Sequence, residues 1–264
     1  MLLTGFFATH PESQAETDAE SGRRWLRRYH PGASRRVVLA ALPHAGGAAS
    51  SYHSLSRALA PDVETLAVQY PGRQDRLHEP GLRDIEHMAD QVVRALGAWS
   101  GPLALFGHSM GATVAFEVAR RLEASHRAPA ALIVSARSAP SAESRWHRQD
   151  VRDEVLVEEM RALGGSDAAL ADEELLSLAL PALRSDFTAV GRYRYRPGPP
   201  LSCPITALVG DQDPRVDADG MRDWARYTDG GFALHVLKGG HFYLADQMDA
   251  VTRLVRGALV PYLG

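Results

Sequence analysis

Short continuous apolar runs alternate along this chain with longer stretches whose apolar positions recur every three or four residues. Runs of the first kind lie near 36–42, 63–69, 103–107, 131–135, 205–209 and 232–237, and they read as strands. Stretches of the second kind lie near 50–60, 84–98, 110–124, 217–227 and 246–262, and they read as helices. An apolar run without polar alternation belongs to a strand covered on both faces, as strands of parallel sheets are. Regular alternation of such strands with helices predicts an α/β fold: a mostly parallel sheet flanked by helices.

One region breaks the alternation. From about Arg137 to Pro200 the chain makes a connection far longer than the usual roughly 4–6 residues. Helical periodicity recurs within it over Val151–Met160 and Asp172–Leu180, with a third helical piece over Asp186–Tyr195. Gly164-Gly165 and Pro181 separate these pieces. An insertion at this place predicts a helical lid at about 137–200. Leu156, Met160, Leu163, Leu175, Leu176, Leu180 and Phe187 are its candidates for lining an acyl channel, with simple packing onto the core as the other reading. The expected organisation is therefore a mobile N-terminal arm over 1–22 and a single domain over 23–264 that carries the lid.

Chemistry concentrates where strands end. The run Leu103–Phe106 enters Gly107-His108-Ser109-Met110-Gly111, and small residues Ala112, Ala115 and Ala119 follow. Strand, Gly-x-Ser-x-Gly and helix in this order are the pattern of the nucleophile elbow of an α/β-hydrolase. Such a turn leaves little room for side chains at Gly107 and Gly111. It also sets Ser109 at a helix N-terminus, where the dipole favours developing negative charge. In this fold the acid and the histidine follow the serine in that order. The strand 205–209 ends in Gly210-Asp211-Gln212-Asp213-Pro214, and the strand 232–237 runs into Lys238-Gly239-Gly240-His241.

Ser109, Asp213 and His241 are thus the candidate catalytic triad. Asp211 competes with Asp213, but Asp213 lies farther past the strand end and Pro214 fixes its backbone; Asp211 reads as a loop buttress. His108 is a less favoured base, better read as packing beside the elbow. His235 alternates within a strand, and the other histidines have no comparable context. Two N–H donors must meet the oxyanion of a tetrahedral intermediate. One candidate is the N–H of Met110. The other is Ala45, with Gly46 next, in the loop Pro43-His44-Ala45-Gly46-Gly47-Ala48 after the first long strand.

Composition narrows the class without changing the fold. The 264 residues are 45% hydrophobic with a net charge of −3, so no basic excess points to nucleic acid. A single cysteine, Cys203, excludes an internal disulfide framework and fits a reducing cytoplasm. The apolar start Met1–Phe7 has no basic leader, and no run approaches the about 20 apolar residues of a membrane helix. No metal cluster or dinucleotide motif is present, and no cofactor is expected.

Taken together, Pro43-His44-Ala45-Gly46-Gly47, Tyr70-Pro71-Gly72-Arg73, Gly107-His108-Ser109-Met110-Gly111, Gly210-Asp211-x-Asp213 and Gly239-Gly240-His241-Phe242 resemble type II thioesterases. The resemblance runs from about Trp25 to the C-terminus. Members of that family are stand-alone α/β-hydrolases that accompany polyketide and nonribosomal peptide synthases. The resemblance implies hydrolysis of stalled or aberrant acyl groups from the phosphopantetheine arm of an acyl carrier protein, by a cytoplasmic, monomeric enzyme. Positions matching the family's triad are Ser109, Asp213 and His241, and those matching its oxyanion donors are Ala45 and Met110. A Ser-His-Asp site serves oxygen esters equally well. A carboxylesterase or lipase-like hydrolase, or a chain-releasing thioesterase or acyltransferase, is the alternative. Arg73 and Arg76, or Arg145, Arg148 and Arg152, are candidate docking cations for an acidic carrier.

Overall fold

A computed structural model of the chain describes residues 20–31, 36–97, 99–142, 152–164 and 172–263. The strands are β1 (Leu26–Arg27), β2 (Val38–Leu42), β3 (Glu64–Val68), β4 (Leu103–His108), β5 (Ala131–Ser135), β6 (Ile205–Gly210) and β7 (Phe232–Leu237). The helices are α1 (His53–Leu59), α2 (Ile85–Ala95), α3 (Met110–Ala124), α4 (Asp153–Ala162), α5 (Glu173–Arg192), α6 (Ala218–Arg222) and α7 (Met248–Leu259). The strands form one sheet in the order β1-β3-β2-β4-β5-β6-β7. All neighbours are parallel except β1 and β3, which are antiparallel.

Every position of β2, β3, β4 and β5 is buried, as the unbroken apolar runs require. Cover comes from two helix pairs, α1 against α7 and α2 against α3. Helix α3 sits closest to the sheet, and its small residues Gly111, Ala112, Ala115 and Ala119 permit the approach. Cys203 is buried too, and burial near Glu123 pushes its thiol up to about 12.

From β2 the chain steps outward to β3, then returns across to β4 on the other side of β2. The strand order therefore reverses between β2 and β4, and a crevice opens beyond their C-terminal ends. Leu42 at the end of β2 pairs with Gly107 at the end of β4. The loop 43–48 and the turn at 107–111 consequently emerge side by side.

Three features differ from the pattern read in the sequence. The strand β1 was not expected: two residues are too few to show a period. It is held through its neighbour Trp25, which is buried edge-on to Tyr70 and lies under the Arg76 guanidinium. Residues 20–22, assigned to the arm, are helical as part of 20–25, and the rest of the arm lies outside the described residues. Pro181 does not separate two helices, because α5 runs through it. An interior proline costs about 3 kcal/mol. Beyond it Ala182, Leu183, Phe187, Ala189 and Val190 are buried, and each large apolar side chain returns about 1.5–3 kcal/mol. Burial outweighs the missing hydrogen bond, and the Ser185 hydroxyl donates to the Pro181 carbonyl at 2.9 Å.

Candidate active site

Ser109 occupies a conformation that few residues tolerate, φ 53° and ψ −119°. The surroundings force it. A Cβ on Gly107 would lie 2.2 Å from the Gly111 carbonyl oxygen, and one on Gly111 would lie 2.0 Å from the Leu42 oxygen. Both obstacles are backbone, so glycine is required at both sites for α3 to start this close to the sheet. The Ser109 N–H donates to the Ser135 carbonyl at 2.8 Å and ties the turn to β5.

Asp213 and His241 converge on this turn from the ends of β6 and β7. His241 Nδ1 lies 2.8 Å from Asp213 Oδ2, and Nε2 lies 3.0 Å from Ser109 Oγ. A carboxylate only accepts, so Nδ1–H donates to Asp213 and Nε2 is free to accept the Ser109 hydroxyl proton. The Asp213 side chain is fully buried, and its other oxygen accepts from the N–H groups of Arg215 at 2.8 Å and Val216 at 3.4 Å. Asp211 instead accepts from the Gly239 N–H at 2.8 Å, bracing the loop that carries His241. The structure thus brings Ser109, Asp213 and His241 together and sets Asp211 aside.

Two further histidines pack around His241. The His108 ring centre is 5.2 Å from that of His241, and the His44 ring is 5.7 Å from that of His108. Burial, reinforced by His241, pushes His108 well below the usual imidazole range. Burial, with His241 and Arg73 nearby, lowers His44 to about 4. His108 Nδ1 lies 2.9 Å from the Ser135 hydroxyl, which lies 2.6 Å from the Tyr243 hydroxyl. Both rings are therefore neutral near pH 7.

Ala45 and Met110 line the same cavity as Ser109. Neither N–H donates to an acceptor among the described residues. The loop bearing Ala45 is fixed from behind. Asp186 on α5 accepts from the Gly46 N–H at 2.8 Å and from Arg73 through both oxygens, at 2.7 and 2.9 Å. Arg73 also donates to the Gly47 carbonyl at 3.0 Å. Burial disfavours the Arg73 charge, but Asp186 outweighs it and raises the guanidinium further. A Cβ on Gly46 would lie 2.5 Å from the Leu183 side chain, so α5 packs directly on this loop.

Sequence reading missed Asp186 altogether and misplaced Arg73. Neither Arg73 nor Arg76 is a docking cation, for each is only 5% exposed. Arg76 is held by Glu79 and the Gln69 carbonyl. Of the other docking candidates, Arg152 is exposed, while Arg145 and Arg148 lie outside the described residues. Gly165 lies outside them too.

The site opens into a cavity of about 380 Å³. Met160, Leu163 and Phe187 line it, as three of the seven channel candidates. The others do not. Leu156 packs with Leu183 and Phe187 between α4 and α5, Leu175 is 53% exposed, and Leu176 and Leu180 lie away from the cavity on the first half of α5. Amphipathic spacing marks a helix face, but not which turn of that face reaches the cavity.

A family model for the thioesterase domain matches residues 38–259. Thioesterase PikA5 of Streptomyces venezuelae is 49% identical over 227 residues, 84% of this chain and 81% of that protein. The structure of BorB, a type II thioesterase from the borrelidin biosynthetic cluster, superposes with a TM-score of 0.82 at 49% identity. That match covers 89% of this chain and 97% of BorB. YbtT, a type II thioesterase from the yersiniabactin pathway, gives 0.79 at 32% identity and covers 90% and 99%. An elbow that joins β4 to α3, a match spanning most of the chain and identities of this size lead to one assignment: the chain belongs to the thioesterase family and is a thioester hydrolase of the α/β-hydrolase fold.

Proposed function

We propose that this enzyme frees carrier proteins of polyketide or nonribosomal peptide synthases from stalled or aberrant acyl groups, by hydrolysing the thioester on the phosphopantetheine arm. The hydrogen-bonded line Asp213–His241–Ser109 carries this reading. His241 Nε2 takes the hydroxyl proton as Ser109 Oγ attacks the thioester carbonyl. The oxyanion is met by the N–H groups of Ala45 and Met110. The pantetheine thiolate departs with the proton held by His241, leaving an acyl group on Ser109. Water, deprotonated by His241, then releases the acid. Asp213 keeps the imidazole in the working tautomer and stabilises the imidazolium.

Helices α4 and α5 act as the lid of the chamber that takes the acyl group. The partner is an acyl carrier protein, and the enzyme works as a cytoplasmic monomer. The relatives come from biosynthetic clusters of this kind, which supports the substrate class. The test is a panel of carrier proteins loaded with acetyl, propionyl, butyryl and longer chains, followed by mass spectrometry. The expected result is acyl loss that Ser109→Ala abolishes. Rapid hydrolysis of p-nitrophenyl esters with the carriers left acylated would instead favour a carboxylesterase.

A further inference from the structure

Most guanidinium groups near the site have a partner. Arg73 holds Asp186, Arg215 holds Glu159, and Arg194 donates to the carbonyls of Gly191 and Tyr193. Arg137 differs. It lies just past the end of β5, after Ala136 in a left-handed conformation, and it lines the cavity that holds Ser109 and His241. Its guanidinium donates no hydrogen bond and forms no ion pair with any described residue; only its backbone carbonyl is engaged, by the Trp224 indole at 2.7 Å. Burial lowers its pKa, the mark of a cation without compensation.

An unpaired cation in a partly desolvated wall is costly unless something meets it. No described residue supplies it an anion. Among the described lining residues, Arg137, Arg194 and Arg215 face one carboxylate, Glu159, which Arg215 already engages. The ionisable group that acts on Arg137 is the phenol of Tyr193, which burial keeps protonated and therefore uncharged near pH 7. Tyr193 continues the face of α5 that brings Phe187 and Val190 to the cavity, so Arg137 confronts the wall where an acyl group lies.

We propose that Arg137 is an anion-recognising subsite of the acyl chamber, selecting acyl groups that bear a carboxylate a few bonds from the thioester carbonyl. A guanidinium meets a carboxylate through two parallel N–H donors, a fit that a plain alkyl chain lacks. The inference rests on the proposed thioesterase reading for its substrate. A phosphate on the pantetheine arm offers the same chemistry, but it sits at the carrier end of that arm, away from the acyl wall.

The experiment compares succinyl with butyryl, and glutaryl with pentanoyl, as N-acetylcysteamine thioesters that carry no phosphate. Arg137→Met and Arg137→Lys are assayed beside the wild type, and binding is measured by calorimetry in a Ser109→Ala background. The carboxyacyl-to-alkyl ratio of kcat/KM, and of affinity, should fall at least about tenfold in Arg137→Met and recover in part in Arg137→Lys. Melting temperature should hold or rise in Arg137→Met, since an uncompensated charge is removed. A ratio unmoved by Arg137→Met overturns the subsite. So does an Arg137→Met defect confined to propionyl-phosphopantetheine and absent from propionyl-N-acetylcysteamine, which assigns the anion to phosphate. Failure of the wild type to turn over any thioester removes the functional reading instead, and the calorimetric ratio still decides the subsite.

Discussion

Arg73 and Asp186 join two parts of the chain that lie far apart in sequence, through a buried two-point ion pair that also grips the backbone at Gly46 and Gly47. Removing one partner from such a pair costs about 3–5 kcal/mol, because the other charge stays buried. Asp186→Ala should therefore lower stability by that amount in urea unfolding. It should also lower kcat more than it changes KM, since the loop carrying Ala45 loses its backing. Asp186→Asn, which keeps the acceptor for the Gly46 N–H, should be milder in both. Unaltered kcat in a folded Asp186→Ala variant would show that the clamp is structural only.

The two acids at the end of β6 should separate sharply. Asp213→Asn sets the wrong tautomer on His241, and the analogous change in a serine protease costs about 10⁴-fold. Asp211→Asn retains an acceptor for the Gly239 N–H and should cost less than about tenfold. Steady-state kinetics on one acyl thioester decides the matter; equal losses in both variants would contradict the geometry.

Acid should weaken the fold through the neutral histidines. His44 titrates at about 4 when folded, against about 6.5 when unfolded, and His108 is depressed in the same direction. Between those values the unfolded chain binds more protons, so stability rises with pH there. The contribution is fully present above about pH 6.5 and is lost as pH falls toward 4. Chemical denaturation from pH 7 to pH 5 should show the decline, with a shallower slope in His44→Gln. An identical slope in both proteins would refute the role of His44.

Gly111→Ala should be far worse than Gly164→Ala. At Gly111 the added Cβ meets backbone oxygens of Leu42 and Pro43 that have no room to retreat. At Gly164 no described atom lies within 4 Å of the added Cβ, and the cost is the left-handed φ of 83°, about 1–2 kcal/mol. Soluble yield and melting curves compare the two.

Much of this was legible in the chain. The parallel sheet announced itself because its central strands, β2 to β5, are buried on both faces and carry no polar alternation. Ser109, Asp213 and His241 stood out because each follows a strand end in the order the fold demands. Asp186 did not, since an acidic residue on an amphipathic helix looks like any solvated charge until the fold brings Arg73 beneath it. Pro181 misled for a related reason: its local penalty is visible in sequence, whereas the burial that overrides it depends on tertiary packing. Arg137 carried no signal, because a lone arginine after a strand reveals nothing about the wall it faces.

Central to the proposed reaction is Ser109 Oγ as the atom that takes the acyl group from a carrier. Rapid mixing of the His241→Ala variant and of the wild type with acyl-loaded carrier protein, quenched in acid and digested, locates any covalent acyl group by peptide mass spectrometry. The predicted result is transient acylation of the peptide bearing Ser109 in the wild type. In His241→Ala that acylation is strongly slowed, and it is absent from Ser109→Ala together with turnover. Acyl release from the carrier at an undiminished rate by Ser109→Ala, or acylation at another residue, would contradict it.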